Sequence, residues 1–235
     1  MVKLINYTTN PEITIAIAAR LCYSSSDITK IEHDFKEDEK GLEKARKLIK
    51  KIRTSGHESV LEHANFTFIV DKLSRSASHQ LVRHRIASYS QRSQRYVKET
   101  NPQIIIPESI SENKEFLDKF NNLVKEIYSL YGFFLEKGMP AEDARYILPN
   151  AAQTQLSFTM NARELLHFFR LRGCERAQWE IRNLAKEVFK LVYPIAPSVF
   201  YGAGPSCVRS GCSEGEFSCG KPLEIKKEWM TKGLL

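Results

Sequence analysis

The sequence predicts an α+β fold, a central and mostly antiparallel sheet with flanking helices. Two short runs, Asn65-Phe-Thr-Phe-Ile-Val70 and Ala152 to Met160, are rich in aromatic and β-branched residues, as half-buried strands are. The long segments around them space their apolar residues at helical intervals. Each strand run is also followed by a turn and a helical pattern. Phe66-Thr-Phe68 leads to a helix ending Leu81-Val-Arg-His-Arg85, and Leu156-Ser-Phe-Thr159 leads to one ending Phe168-Phe-Arg-Leu-Arg172. Chance resemblance at this length and two pseudo-repeated strand-helix units both account for the likeness. A true repeat would aim two arginine pairs at related places.

The elements read in order as follows. Residues 2–8 alternate and suit a first strand, and Pro11 opens a helix to Tyr23 with Ile13, Ile17 and Leu21 on one face. Ser24 to Asp27 breaks it, and 33–54 is a charged amphipathic helix carrying Leu42, Ala45, Ile49 and Ile52. Residues 56–63 form a loop or short helix before the 65–70 strand, after which Ser74 caps a helix from Arg75 to about Arg85. Ile104-Ile-Ile106 is extended between prolines. A helix over 111–137 buries a stripe of Phe116, Phe120, Leu123, Ile127, Leu130 and Phe134. Pro140 begins another helix that runs through Arg145 to Leu148. Asn161-Ala-Arg-Glu164 is a capping box that starts a helix to Arg172-Gly173. A last helix covers 175–192, and the Gly-, Pro-, Ser- and Cys-rich segment from Pro194 reads as irregular.

At 235 residues the chain can bury a sizeable core, and 42% hydrophobic with 27% charged residues is an ordinary globular balance. The longest apolar run, Ile13 to Ala19, is far too short to span a bilayer, and residues 1–6 lack a signal-peptide pattern. A cytoplasmic protein is expected. Five cysteines then argue for free thiols or a metal site rather than a disulfide framework. A net charge of +7 suits either nucleic acid or anionic small molecules.

Residues 83–96 concentrate the chemistry. Four arginines, His84, three serines and two glutamines occur there with no acid and no lysine, a donor-rich set for phosphate oxygens and heterocycle edges. On a continuous helix Gln80, Arg83 and His84 share one face, while Arg85 lies about 200° round from Arg83. Ser93 and Arg95 with the backbone between them can cradle a phosphate. In the second unit Asn161 and Arg163 mark a helix N-terminus that favours an anion, and Arg163, His167 and Arg170 share its polar face.

Other patterns carry less. His57-Glu58 and Glu62-His63 do not make H-E-x-x-H. Gly215 to Lys221 departs from a phosphate-binding loop because Pro222 stands where the Mg²⁺-binding hydroxyl belongs. Cys207, Cys212 and Cys219 with Cys174 offer four thiolates at unusual spacing, against which free thiols are the plainer alternative.

Arg83-His84-Arg85, followed after seven residues by Ser93, resembles the R-H-R-x7-S signature of flavin-dependent thymidylate synthase. Ala18 to Tyr23, Gly56 to His63, Phe66 to Phe68, Ala144-Arg145, Asn161 to Arg163, Leu171-Arg172 and Ala177 to Ile181 look like further blocks of that family in order, covering about residues 1–200. The resemblance implies a synthase domain over 1–201 and a separate tail over 202–235. It implies methylation of dUMP to dTMP, with methylenetetrahydrofolate as carbon donor, FAD as redox carrier and NADPH as reductant. The implied assembly is a homotetramer with shared active sites. Neither nucleic acid nor membrane is expected as a partner, and no metal ligand is assigned, the four cysteines being open between free thiols and a metal site. By position Ser59, Arg83, His84, Arg85, Gln91, Asn161, Ala162, Arg163 and His167 look like FAD contacts. Gln80, Leu81, Val82, Arg83, Gln91, Arg92, Ser93, Gln94, Arg95, Arg145 and Arg172 look like dUMP contacts. Some members carry Glu at the place of Gln91, or Asn at that of His167, and Cys22 stands where others have Ser.

The chemistry of the reaction agrees. C5 of uracil must become nucleophilic, and a guanidinium near N3 and its neighbouring carbonyl stabilises the charge that this needs. Arg172 is expected in that catalytic role, with Ser93, Arg95 and Arg145 on the phosphate. His57 and His84 remain open between proton relay and stacking.

Overall fold

The computed structural model describes residues 2–36 and 38–231. In chain order these form β1 (Val2–Tyr7), α1 (Pro11–Tyr23), α2 (Ile28–Asp34), α3 (Glu39–Ser55), β2 (Asn65–Ser74), α4 (Arg75–Leu81), β3 (Ala87–Gln91) and α5 (Glu108–Ser111). There follow α6 (Lys114–Glu136), α7 (Ala141–Ala144), β4 (Gln153–Asn161), α8 (Ala162–Arg172), α9 (Trp179–Val192), α10 (Pro197–Phe200), α11 (Ser206–Arg209) and α12 (Pro222–Thr231). The strands pair antiparallel in the order β1-β2-β4-β3 with helices around them, as an α+β chain should.

By its internal contacts the chain divides into two compact units. The larger comprises residues 2–69, 84–88 and 158 onward, and the smaller residues 70–83 and 89–157. In the larger unit β2 and β4 turn one face inward. Phe68 stacks on Phe158 with ring centroids 4.8 Å apart, and Thr67 and Thr159 share a hydroxyl hydrogen bond of 3.0 Å. Phe169 of α8 sits edge-on to Phe189 of α9 at 5.3 Å and to Phe200 at 6.0 Å, and all three are buried. Ile13 and Ala16 of α1 close a second cluster against Ile31 and Ala45.

Several boundaries differ from the sequence reading. The 33–54 helix is two helices, α2 and α3, each begun by an aspartate: Asp27 accepts from Lys30 N and Asp38 from Gly41 N. The last large helix starts at Trp179 rather than 175, because the Gln178 side chain accepts from Glu180 N and Ile181 N and caps it there. The segment from Pro194 is not irregular. It contains α10, α11 and α12, and Trp229 of α12 lies 3% exposed against Phe189 and Phe169. Gly173 permits this packing, since a Cβ there would stand 2.4 Å from the Trp229 ring.

In the smaller unit α6 buries only part of its apolar surface. Val124 and Tyr131 are buried, and the Tyr131 hydroxyl accepts from Glu99 N. The expected core stripe instead faces outward at Phe116, Leu123 and Leu130, each more than 40% exposed. Nothing in this chain covers that row among the described residues, so helical periodicity located the stripe but not its environment.

Candidate active site

In the larger unit the site grows from the end of β4. Asn161 leaves the strand and its Oδ1 accepts from Glu164 N at 2.9 Å, capping α8 and holding its first N–H groups toward one side. The cap leaves the Glu164 carboxylate available, and its Oε1 meets His84 Nδ1 at 2.8 Å. The expected helix from Arg75 to Arg85 stops at Leu81, whose carbonyl accepts from the Tyr89 hydroxyl. His84 has thus left the helix, and the face it was expected to share with Gln80 and Arg83 does not exist. It is 3% exposed, edge-on to Phe168 at 5.1 Å and to His167 at 5.5 Å.

Arg172, in the last turn of α8, donates from Nε to His84 Nε2 at 3.2 Å. Burial, then the charges of Arg172 and His167, push the His84 pKa down to about 4, so the ring is neutral. A neutral imidazole has one N–H. With Glu164 beside Nδ1 and a guanidinium donor at Nε2, the proton sits on Nδ1. Burial raises the Glu164 pKa and lowers that of Arg172. His167 is likewise held below its ordinary range by burial and then by Arg170, which bonds its Nδ1 at 3.1 Å.

Of these groups Glu164, His167 and Arg170 border a cavity of about 570 Å³, together with Asn161 at the end of β4, Arg163 of α8, and Ile86 and Leu166 as apolar wall, while His84 and Arg172 are not among its lining residues. Arg163 pairs with Glu62 from the 58–63 turn. The opposite side is Gly202 to Ser206 with Arg209 and Arg53. Arg53 is 8% exposed and paired with Glu58, and its pKa is pushed down to about 10 by burial and then by Arg209. The sequence reading missed Arg53, Arg209 and this loop, because they lie on a solvated helix and in the tail. It saw Glu164 only as a capping acid. Of the expected FAD contacts, Ser59, Arg83, His84, Arg85, Gln91 and Ala162 do not line the cavity: Ser59, Arg83 and Arg85 are exposed, Gln91 is half-buried, His84 is buried and Ala162 is wholly buried. His57 is exposed and hydrogen-bonds the Tyr23 hydroxyl at 2.5 Å, an environment unlike that of His84.

In the smaller unit Gln91 ends β3 and donates from Nε2 to Ser78 Oγ at 2.9 Å and to Thr154 Oγ1 at 3.2 Å. The turn that follows has Ser93 Oγ accepting from Arg95 N at 3.2 Å. Glu142 gathers two expected phosphate ligands: its carboxylate takes Arg95 Nε at 2.9 Å and its carbonyl takes Arg145 Nε at 3.1 Å. Arg92 pairs with Glu99 at 3.4 Å, and Arg75 donates to the Arg92 carbonyl. Burial, and to a lesser degree the Arg145 charge, hold the Arg75 pKa below its ordinary value against the opposing pull of Glu99. Neither Glu142 nor Arg75 carried a sequence signal. Gln80 is half-buried, Leu81 and Gln94 are buried, and Val82 and Arg83 are exposed.

Among the described residues, His84, Glu164 and His167 are the one set of three possible metal ligands with ligand atoms within 4.8 Å of one another. Two guanidiniums already donate to that set, at His84 Nε2 and His167 Nδ1, so a cation would meet fixed positive charge. The thiols of Cys174, Cys207, Cys212 and Cys219 do not gather to that distance, and all are free.

The sequence profile described as thymidylate synthase complementing protein matches residues 3–198. Relatives named flavin-dependent thymidylate synthase include those of Geobacter sulfurreducens, 47% identical over 96% of each chain, and Clostridium tetani, 46% identical over 97% of this chain and 96% of the relative. That of Pyrococcus furiosus is 41% identical over 97% and 96%. With a profile that spans most of its length and relatives this similar end to end, the chain belongs to the thymidylate synthase complementing protein family.

Proposed function

We propose that the chain methylates dUMP to dTMP, taking the carbon from methylenetetrahydrofolate and the electrons from NADPH through FAD. The observation that carries this reading is the cationic cavity at the N-terminus of α8. Arg163, Arg170, Arg53 and Arg209 offer planar donors to a pyrophosphate, the α8 N–H groups favour an anion, and Ile86 and Leu166 offer apolar wall to a ring. The donor chemistry therefore fits a flavin dinucleotide, held by Asn161, Arg163 and His167 with His84 behind them. Bound FAD supplies the hydride that completes the transferred one-carbon unit as a methyl group.

The chain's own residues do the rest. Arg95 and Arg145, set by Glu142, bind the dUMP phosphate together with Ser93. Arg172 faces the uracil and stabilises negative charge on the ring. Gln91, held by Ser78 and Thr154, orients the nucleotide. Residues 1–201 form the synthase domain, and 202–235 are an extension whose loop walls the cavity. A homotetramer with shared sites is supported by the exposed apolar row of α6, which suits a second copy of this chain. That the enzyme does not bind nucleic acid is supported by the pairing of Arg92, Arg95 and Arg163 with acids, which suits a small ligand better than a phosphate backbone, and a cytoplasmic location is part of the same proposal. No described helix is long and apolar enough to cross a membrane.

The test is direct. The purified protein is expected to carry flavin absorption that is released on denaturation. Arg172→Ala should keep the flavin but lose most dTMP formation, and Arg145→Ala should weaken dUMP binding about 10-fold or more. A colourless protein that binds DNA with steep salt dependence, or full turnover by the Arg172 variant, would overturn the reading.

A further inference from the structure

Glu164 has no role in the chemistry above, yet it is 6% exposed and aimed at a buried imidazole. We infer that Glu164 is the positioning residue for Arg172 and acts through His84, holding the Nδ1–H tautomer so that Nε2 accepts from the guanidinium and fixes its plane. This rests on the reading that Arg172 meets the uracil ring.

The geometry sets three groups in line. Glu164 Oε1 stands 2.8 Å from His84 Nδ1, and Arg172 Nε stands 3.2 Å from His84 Nε2. The ring plane is not free to turn, because Phe168 meets it at 83° and His167 at 65°. A buried carboxylate is costly unless its hydrogen bonds are made. Capping α8 does not require this one, since Asn161 supplies the cap through the Glu164 backbone N–H. In the opposite tautomer His84 would present Nε2–H to the Arg172 Nε–H, and two donors would face each other. The guanidinium would then have to turn. Glu164 and Arg172 are eight residues apart on α8, and His84 bridges them from the segment before β3.

Two substitutions of similar size separate the roles. Glu164→Gln keeps an acceptor for Nδ1–H, whereas Glu164→Met fills the same space without one. Calorimetric titration of the flavin-loaded protein with dUMP is the readout, with flavin content and thermal midpoint measured alongside. Glu164→Met should weaken dUMP binding about 10-fold, and Glu164→Gln should stay within about 3-fold of the parent. In an Arg172→Ala background Glu164→Met should add less than about 2-fold, because its effect runs through the missing guanidinium. Additive losses, or equal losses from Gln and Met, overturn the inference. So does an unchanged affinity in Glu164→Met while Arg172→Ala loses it, a result that leaves the uracil role of Arg172 standing. Unchanged affinity in Arg172→Ala itself brings down that role and the inference together.

Discussion

Replacing Trp229 by alanine measures how far the tail stabilises the cavity wall. The indole is 3% exposed and packs on Phe189 at 5.1 Å and Phe169 at 6.1 Å, with Gly173 and Gly204 closing on its faces. Burying an indole removes on the order of 200 Å² from water, about 5 kcal/mol at about 25 cal/mol per Å². Its Nε1–H is buried with no hydrogen-bond partner among the described residues, which offsets about 1–3 kcal/mol of that gain. The net expectation for Trp229→Ala is a loss of about 2–4 kcal/mol. Trp229→Phe keeps most of the ring contact and removes the unpaired donor, so it should stay within about 1 kcal/mol of the parent. Urea unfolding at one fixed protein concentration, followed by far-ultraviolet circular dichroism, reads both. Gly204 contacts the indole and lines the cavity, so Trp229→Ala should also release flavin more readily during gel filtration. A loss below about 1 kcal/mol for alanine, or equal damage from phenylalanine, would refute the packing argument.

Two further outcomes are expected. Asn161→Asp should preserve the α8 cap, whereas Asn161→Ala should cost about 1 kcal/mol in thermal unfolding. The aspartate should nonetheless lower flavin retention by adding negative charge to the cavity. Acid should also destabilise the fold through His84. Its native pKa of about 4 lies below the ordinary 6.5, so the unfolded chain binds the extra proton first. Stability should therefore fall as pH drops from about 6.5 toward 4, by at most about 3 kcal/mol from this group. Denaturant titrations between pH 7 and pH 4 should show a shallower decline in His84→Gln than in the parent, and equal slopes would remove His84 as the cause.

Local signals specified the bounds of α1 and the start of α8, although α1 buries Ile13, Ile15, Ala16 and Ala19 and leaves Leu21 of the expected face exposed. Pro11 and Asn161 act within one helical turn of themselves, and the apolar period then carries each helix forward. The strands read at 65–70 and 152–160 were legible for the same reason, because β-branched and aromatic side chains state their preference residue by residue, although β2 runs on to Ser74. Arginine-rich composition and the ordered family blocks pointed to the ligand chemistry before any fold was known. The end of α4 was not legible. Leu81 stops the helix where Tyr89 takes its carbonyl, and His84 turns away to a carboxylate 80 residues further along. Nor could the sequence pair Arg95 with Arg145 through Glu142, or show α6 presenting Phe116, Leu123 and Leu130 to solvent. The tail read as irregular because glycine and proline mark turns, while the burial of Trp229 depends on a space left by Gly173. Propensity, capping and periodicity act over a few residues and are written in the chain. Burial, tautomer and the partner of each charge are set by groups far apart in sequence, and only the tertiary structure decides them.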